Sequence, residues 1–296
     1  MTIKSQWTIL ELLNWTTAYF KSHNIEDPRA SAEILLSHAL QLRRIDLYLQ
    51  YDQPLGVNEL ASFKSLIRRR TRREPAAYIV GTKEFWSLDL FVTGDALIPR
   101  PETECLVERA LVWLPENADT SAKTILELGT GSGAISISLA NHRPLHFFFA
   151  SDVSAEAVRL AKKNARAHQL DKRIRFFCGD WFTPVNRRGS YFDMIISNPP
   201  YIATRAIKSL EPEIRKYEPE LALNGGPDGL KALRHIISRA YIYLSPQGVL
   251  LIEMGYDQKD DIAEIIEACG QYEDVVFFKD YSGHDRVVQM CKRRDA

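Results

Sequence analysis

The chain has 296 residues, 45% hydrophobic and 26% charged, proportions of an ordinary globular protein long enough for two domains rather than of a fibrous or disordered one. Lys plus Arg and Asp plus Glu both total 38, so no overall charge draws the molecule to nucleic acid or to a membrane surface. The four cysteines, Cys105, Cys178, Cys269 and Cys291, lack paired spacing, which argues against a zinc site and against a disulfide framework.

In chain order, the apolar stretch Trp7 to Trp15 is interrupted by Glu11 and Asn14 and carries no small-residue cleavage site, so it does not read as a signal peptide. No apolar run approaches membrane-spanning length, and a cytoplasmic protein is expected. Residues from about 5 to 75 place apolar side chains at helical spacing throughout. Asp27-Pro28 offers an N-cap and a first-turn proline for a helix burying Ile34, Leu35, Ala39 and Leu42. Gln53 to Gly56 breaks it, and Val57 or Asn58 opens another through Leu60, Phe63 and Ile67. That helix ends in the basic run Arg68 to Arg73, which reads either as a solvated helix end favoured by the helix dipole or as a docking patch for an acidic or nucleic-acid-associated partner. From Glu74 the pattern alternates, with Tyr78 to Val80, Glu84 to Trp86 and Leu88 to Val92 separated by Gly81 and Ser87, which predicts a β-hairpin linking two domains. Ile98 to Glu104 then leads into an amphipathic helix through Leu106, Val107, Ala110 and Leu111, leaving Arg100 and Glu102 to face the next domain's ligand.

Beyond a loop at Pro115 to Ala122, strands and helices alternate, the pattern of a parallel sheet flanked by helices. The predicted strands are Thr124 to Leu128, His146 to Ala150, Arg173 to Phe177, Asp193 to Ser197 and Val249 to Met254. Helices are predicted at Ala134 to Ala140, Ala155 to His168, Leu230 to Leu244 and Gln258 to Ala268, before a final antiparallel pair, Val275 to Lys279 and Arg286 to Cys291.

Four sites fall at the C-terminal ends of four successive strands. Gly129, Gly131 and Gly133 form a glycine turn whose spacing differs from the dinucleotide fingerprint and suits a nucleoside without phosphates, unless it serves packing alone. Asp152 can accept from both ribose hydroxyls, or it can cap the following helix. Asp180-Trp181 offers an acceptor for an adenine amino group and an aromatic face, although a buried Trp also serves as core. Asn198-Pro199-Pro200-Tyr201 ends an apolar strand at a rigid corner. There the Asn198 side-chain carbonyl and the Pro199 backbone carbonyl can accept from one planar NH2 group while Tyr201 stacks on it; the bland alternative is a strand-to-loop turn.

These motifs resemble those of S-adenosylmethionine-dependent methyltransferases acting on planar amino or amide nitrogens. Arg73-Glu74-Pro75, Tyr78 to Gly81, Glu84-Phe85-Trp86, Leu97 to Glu104, Tyr217-Glu218-Pro219, Ala222-Leu223 and Gly225 to Gly229 narrow the likeness. With them the chain resembles the peptide-chain-release-factor glutamine methyltransferases, the PrmC/HemK family, over roughly residues 70 to 290. The resemblance implies an α/β Rossmann-like methyltransferase fold with a seven-stranded, mostly parallel sheet and a C-terminal antiparallel hairpin. A small helical domain and a linking β-hairpin precede it. The expected divisions are a helical substrate-recognition domain at 1–75, a hairpin linker at 76–100 and the methyltransferase domain at 101–296.

The implied cofactor is S-adenosyl-L-methionine, held by Gly129, Thr130, Gly131, Ser132, Gly133, Asp152, Asp180, Trp181 and Asn198. Asn198, Pro199, Pro200 and Tyr201 are expected to bind the substrate amide, with Asn198, Pro199 and Tyr201 catalytic and no metal involved. The implied substrate is the glutamine of a Gly-Gly-Gln tripeptide in class I peptide chain release factors. A monomer with no direct nucleic-acid or membrane contact is expected. The alternatives are methylation of a ribosomal-protein glutamine, an adenine amino-methyltransferase and a non-catalytic nucleotide-binding module. Because no histidine stands at the corner, the chemical step is expected to be nearly flat from about pH 6.5 to 8.5.

Overall fold

The computed structural model describes residues 6–116, 121–185 and 191–294, so residues 117–120 of the loop expected at Pro115 to Ala122 lie outside the described residues. Two compact units divide the chain, Met1–Thr82 with Glu211–Tyr217, and Lys83–Leu210 with Glu218–Ala296. This division differs from the expected one at residues 75 and 100: the hairpin belongs almost wholly to the second unit, and a short distant segment joins the first.

The first unit is helical, with α1 (Ile9–Ser22), α2 (Pro28–Leu40), α3 (Asp46–Leu49), α4 (Val57–Thr71) and α5 (Ala76–Val80). Its core gathers Leu13, Phe20, Leu35, Leu36 and Phe63, all essentially inaccessible. Thr8 and Glu11 close a reciprocal capping box on α1. At α2, Pro28 takes the first turn as its fixed φ favours, but Asp27 sits in the left-handed region at φ 43° and makes no capping bond. Helix α4 begins after Gly56, whose N–H is accepted by Glu59. Tyr78 to Val80, expected as strand, is helix: so short an apolar run fits either period, and Ile79 is buried in the helical core.

Neither reading of the basic run describes Arg70 or Arg73. Arg70 is 5% exposed, and its Nη1 lies 2.8 Å from Glu213 Oε1, while Arg73 Nη2 lies 2.6 Å from Glu213 Oε2. Arg68 and Arg72 remain exposed.

In the second unit, β1 (Thr82–Phe85) and β2 (Leu88–Phe91) form the hairpin. Its turn residues Trp86 and Ser87 both take positive φ, 51° and 60°, as a tight hairpin turn requires. The buried Asn164 side chain holds both backbone polar groups of Phe91 and also donates to Ser132 O. The main elements follow as α6 (Thr103–Trp113), β3 (Thr124–Leu128), α7 (Ala134–His142), β4 (Phe147–Asp152), α8 (Ala155–Ala167), β5 (Ile174–Cys178) and β6 (Phe192–Ser197). After a 3-10 turn at Ala206–Ser209 come α9 (Pro212–Tyr217), which belongs to the first unit, and α10 (Glu220–Leu223). Helix α11 (Lys231–Ala240), β7 (Leu244–Glu253), α12 (Lys259–Cys269), β8 (Tyr272–Lys279) and β9 (Asp285–Lys292) complete the chain.

The seven-stranded sheet has the order β5-β4-β3-β6-β7-β9-β8, parallel except for β9 and β8, so the fold is the expected Rossmann-like one with a C-terminal antiparallel hairpin. Period-2 alternation sends Ile125, Met194, Ile196 and Leu251 to one face, against α6 and α7, and Leu126, Ile195, Leu250 and Ile252 to the other, against α11 and α12. Strand order reverses between β3 and β6, which opens a crevice at their C-terminal ends, the place where open α/β sheets bind ligands. No described helix is long and apolar enough to cross a membrane.

Candidate active site

A cavity of about 670 Å³ occupies that crevice, a volume suited to a small-molecule cofactor. Its wall includes Gly129, Thr130, Gly131 and Ser132 after β3, Asp152 at the end of β4, Asp180 and Trp181 after β5, and Asn198 and Pro200 after β6. The four sequence sites therefore meet around one space. Gly133, Pro199 and Tyr201 do not line it. Gly133 has a packing reason instead: a Cβ there would lie 2.9 Å from Ile137 Cδ1 and 3.1 Å from Ala161 Cβ, at φ 85°.

Asp152 organises the glycine turn. Its Oδ2 accepts from Gly131 N at 2.9 Å and its Oδ1 from Ser154 N at 2.9 Å, while Ser154 itself caps α8. Each carboxylate oxygen keeps a lone pair for a further donor. Burial raises the Asp152 pKa, opposed by its backbone hydrogen bonds. On the far side Trp181 takes a positive φ of 45°, and its ring centroid lies 6.2 Å from that of His235, another wall residue.

Glu127, at 1% exposure, accepts at Oε2 from Thr130 Oγ1 at 2.8 Å, from Ser136 N at 3.1 Å and from Ser136 Oγ, while Oε1 is buried with no partner among the described residues. Burial pushes its pKa up to about 7 against those hydrogen bonds. A buried carboxylate oxygen in a cavity wall with nothing to accept from suits a cationic donor on a bound ligand.

The Asn198 corner is held from behind. Asn198 Nδ2 donates to Thr103 Oγ1 at 3.1 Å, Gln258 Nε2 donates to Tyr201 O at 3.0 Å, and Gly225 N donates to Ile202 O at 2.9 Å. The Gly225 to Gly229 block is glycine-rich because this backbone presses on the corner: a Cβ on Gly229 would meet Tyr201 O at 2.4 Å. Tyr201, expected to stack on the substrate, instead packs into the core on the α11 side and points its hydroxyl at Glu253 Oε1, 3.2 Å away. Glu218 accepts from Ile98 N at 3.2 Å and from Arg100, itself a wall residue.

Thr103, Glu127, Glu218 and Glu253 did not stand out in the sequence as site residues. The available signal was a charged residue at or beside the end of an otherwise apolar strand, which Glu127 and Glu253 both show.

The PrmC N-terminal domain family model matches residues 11–81, and the methyltransferase small domain model matches residues 107–215. A release factor glutamine methyltransferase of Geobacter sulfurreducens is 42% identical over 282 residues, 95% of this chain and 96% of its own. One of Caulobacter vibrioides is 39% identical over 276 residues, 93% of each chain. The crystal structure of a methyltransferase from Pyrococcus furiosus shares the fold, with a TM-score of 0.53 at 18% identity over 76% of this chain and 98% of its own. Near-complete coverage by relatives 42% and 39% identical shows that the chain belongs to the release factor glutamine methyltransferase family.

Proposed function

We propose that this chain transfers a methyl group from S-adenosyl-L-methionine to the side-chain amide nitrogen of the glutamine in the Gly-Gly-Gln motif of class I peptide chain release factors. The observation that carries the reading is Asn198, whose NH2 is engaged by Thr103, leaving its carbonyl oxygen as the acceptor for an NH2 donor at a cavity wall. The substrate class comes from the relatives, which are named for it.

The residues present fit the cofactor. The unpartnered Glu127 Oε1 would take the methionine ammonium, the spare lone pairs of Asp152 the ribose hydroxyls, and Asp180 with Trp181 the adenine. Bound there, S-adenosylmethionine supplies an electrophilic methyl on a positively charged sulfur. The protein's own contribution is alignment and electrostatics. An amide nitrogen is a poor nucleophile because its lone pair is delocalised, so holding it at about 3 to 3.5 Å and in line supplies much of the rate. Positive charge grows on that nitrogen as the new bond forms. The oriented carbonyl dipole of Asn198 would stabilise it, with Pro199 and Pro200 keeping the corner rigid. Tyr201 contributes from behind the corner through Glu253.

The equal totals of 38 basic and 38 acidic residues favour a protein substrate over nucleic acid, which would demand phosphate neutralisation. Every group named comes from one chain, so a monomer suffices, and a translation-factor substrate calls for a cytoplasmic enzyme. The test offers labelled cofactor with an intact class I release factor, a ribosomal protein or an adenine-containing duplex, and maps the methyl by mass spectrometry. The label is expected on the Gly-Gly-Gln glutamine. Label on another glutamine or on adenine would overturn the assignment.

A further inference from the structure

Among the described residues the cavity wall carries two full positive charges, Arg100 and Lys231, and the reading above uses neither. Arg100 stands between Pro99 and Pro101, so its backbone has little freedom. Its guanidinium is braced on one side only: Nη2 donates to Glu218, a carboxylate whose side chain is 1% exposed and which also accepts from Ile98 N at 3.2 Å. No other hydrogen bond engages that guanidinium among the described residues. An arginine presents five N–H donors in one plane, so most of the fork is free for a ligand.

The two cations stand at different ends of the cavity. Thr103 N donates to Arg100 O at 3.1 Å, and Thr103 Oγ1 accepts from Asn198 Nδ2, which places Arg100 on the turn that holds the Asn198 corner. Lys231 opens α11, one turn before His235, whose ring neighbours Trp181 at the end assigned to adenine. The methyl must reach a nitrogen held at Asn198, so the methionine part of the cofactor belongs to the Arg100 end. That part carries an ammonium and a carboxylate on one carbon. Glu127 Oε1 answers the ammonium alone, and a carboxylate taken from water into a wall that already holds Glu127, Asp152 and Asp180 needs a cation of its own.

We propose that Arg100, aimed by Glu218, binds the α-carboxylate of S-adenosylmethionine. The inference rests on the reading of this cavity as the cofactor site and deepens it by naming the group that takes the cofactor's one negative charge. The other acceptor at that end is the substrate amide oxygen. A cation there would strengthen the delocalisation that already makes the amide nitrogen a poor nucleophile, stabilising the ground state rather than the transition state.

The test compares calorimetric affinities of the full chain for S-adenosylmethionine and for decarboxylated S-adenosylmethionine, which lacks only the carboxylate. Arg100→Met should weaken the first about 10 to 100-fold, as expected for a charge-assisted fork, while affinity for the second stays within about threefold of wild type or rises. The difference between the two losses isolates the contact. Equal losses for both ligands would make Arg100 a brace of the cavity wall and overturn the proposal. Unchanged affinity for both, with a raised KM for the release factor, would give the guanidinium to the substrate and overturn it as well. If Arg100→Met does not fold, Arg100→Gln, which keeps a donor for Glu218, takes its place with the same expectation. A wild-type chain that binds both ligands and prefers neither overturns the proposal without any variant, whereas a wild-type chain that binds neither would remove the cofactor reading itself.

Discussion

Glu127 and Glu253 are two carboxyl groups whose burial outweighs their hydrogen bonds, and both are raised from the ordinary 4.5 to about 7. Between those values the folded chain holds more protons than the unfolded chain, so their contribution to stability is fully present below about pH 4.5 and is lost as pH rises through about 7. Without cofactor, the second unit should therefore be less stable at pH 8 than at pH 6 on account of these groups, and Glu127→Gln should flatten the decline. Denaturant unfolding at the two pH values measures this; a wild-type slope unchanged by the substitution would contradict the burial argument. The same groups revise the expectation of a flat pH profile. The corner itself holds nothing that titrates near neutrality, but Tyr201 bonds to a residue that does.

At the scale of elements, the glycine turn divides into two functions. Gly131 anchors to Asp152 and faces the cavity, whereas Gly133 lets α7 pass close to α8. Gly133→Ala should cost about 1 to 3 kcal/mol through the clash with Ile137 and Ala161 together with the strained φ of 85°. A thermal melt unchanged by that substitution would mean the helices yield easily. Regular elements were legible because burial on both sheet faces writes long apolar runs such as Met194 to Ile196, and strand ends announce themselves with Gly, Asp or Pro. What stayed hidden was set by tertiary partners distant in sequence. Tyr201 looked like a stacking face until Glu253 claimed its hydroxyl, and Tyr78 to Val80 looked like strand until the helical core claimed Ile79.

At the scale of the whole molecule, the chain pairs a helical unit with a catalytic one, and each is matched by its own family model. We propose that the helical unit confers partner choice, since every cavity-wall residue named above lies in the other unit. Its integrity depends on Glu213, which lies about 140 residues from its arginine partners and could not be read as structural from the basic run alone. Arg70→Met strands that buried carboxylate with one partner fewer and should cost about 3 kcal/mol or more of stability in the helical unit. Calorimetric unfolding indistinguishable from wild type would show that water reaches Glu213 and that the ion pair carries little weight.

The most direct test of the central claim is the rate of methyl transfer from Asn198→Ala to an intact class I release factor, followed in a single turnover at saturating cofactor. The account predicts a loss of roughly 100 to 1000-fold, with cofactor affinity nearly preserved and the residual methyl still on the Gly-Gly-Gln glutamine, as expected for removal of one preorganised dipole. Near-normal turnover by that variant would contradict it.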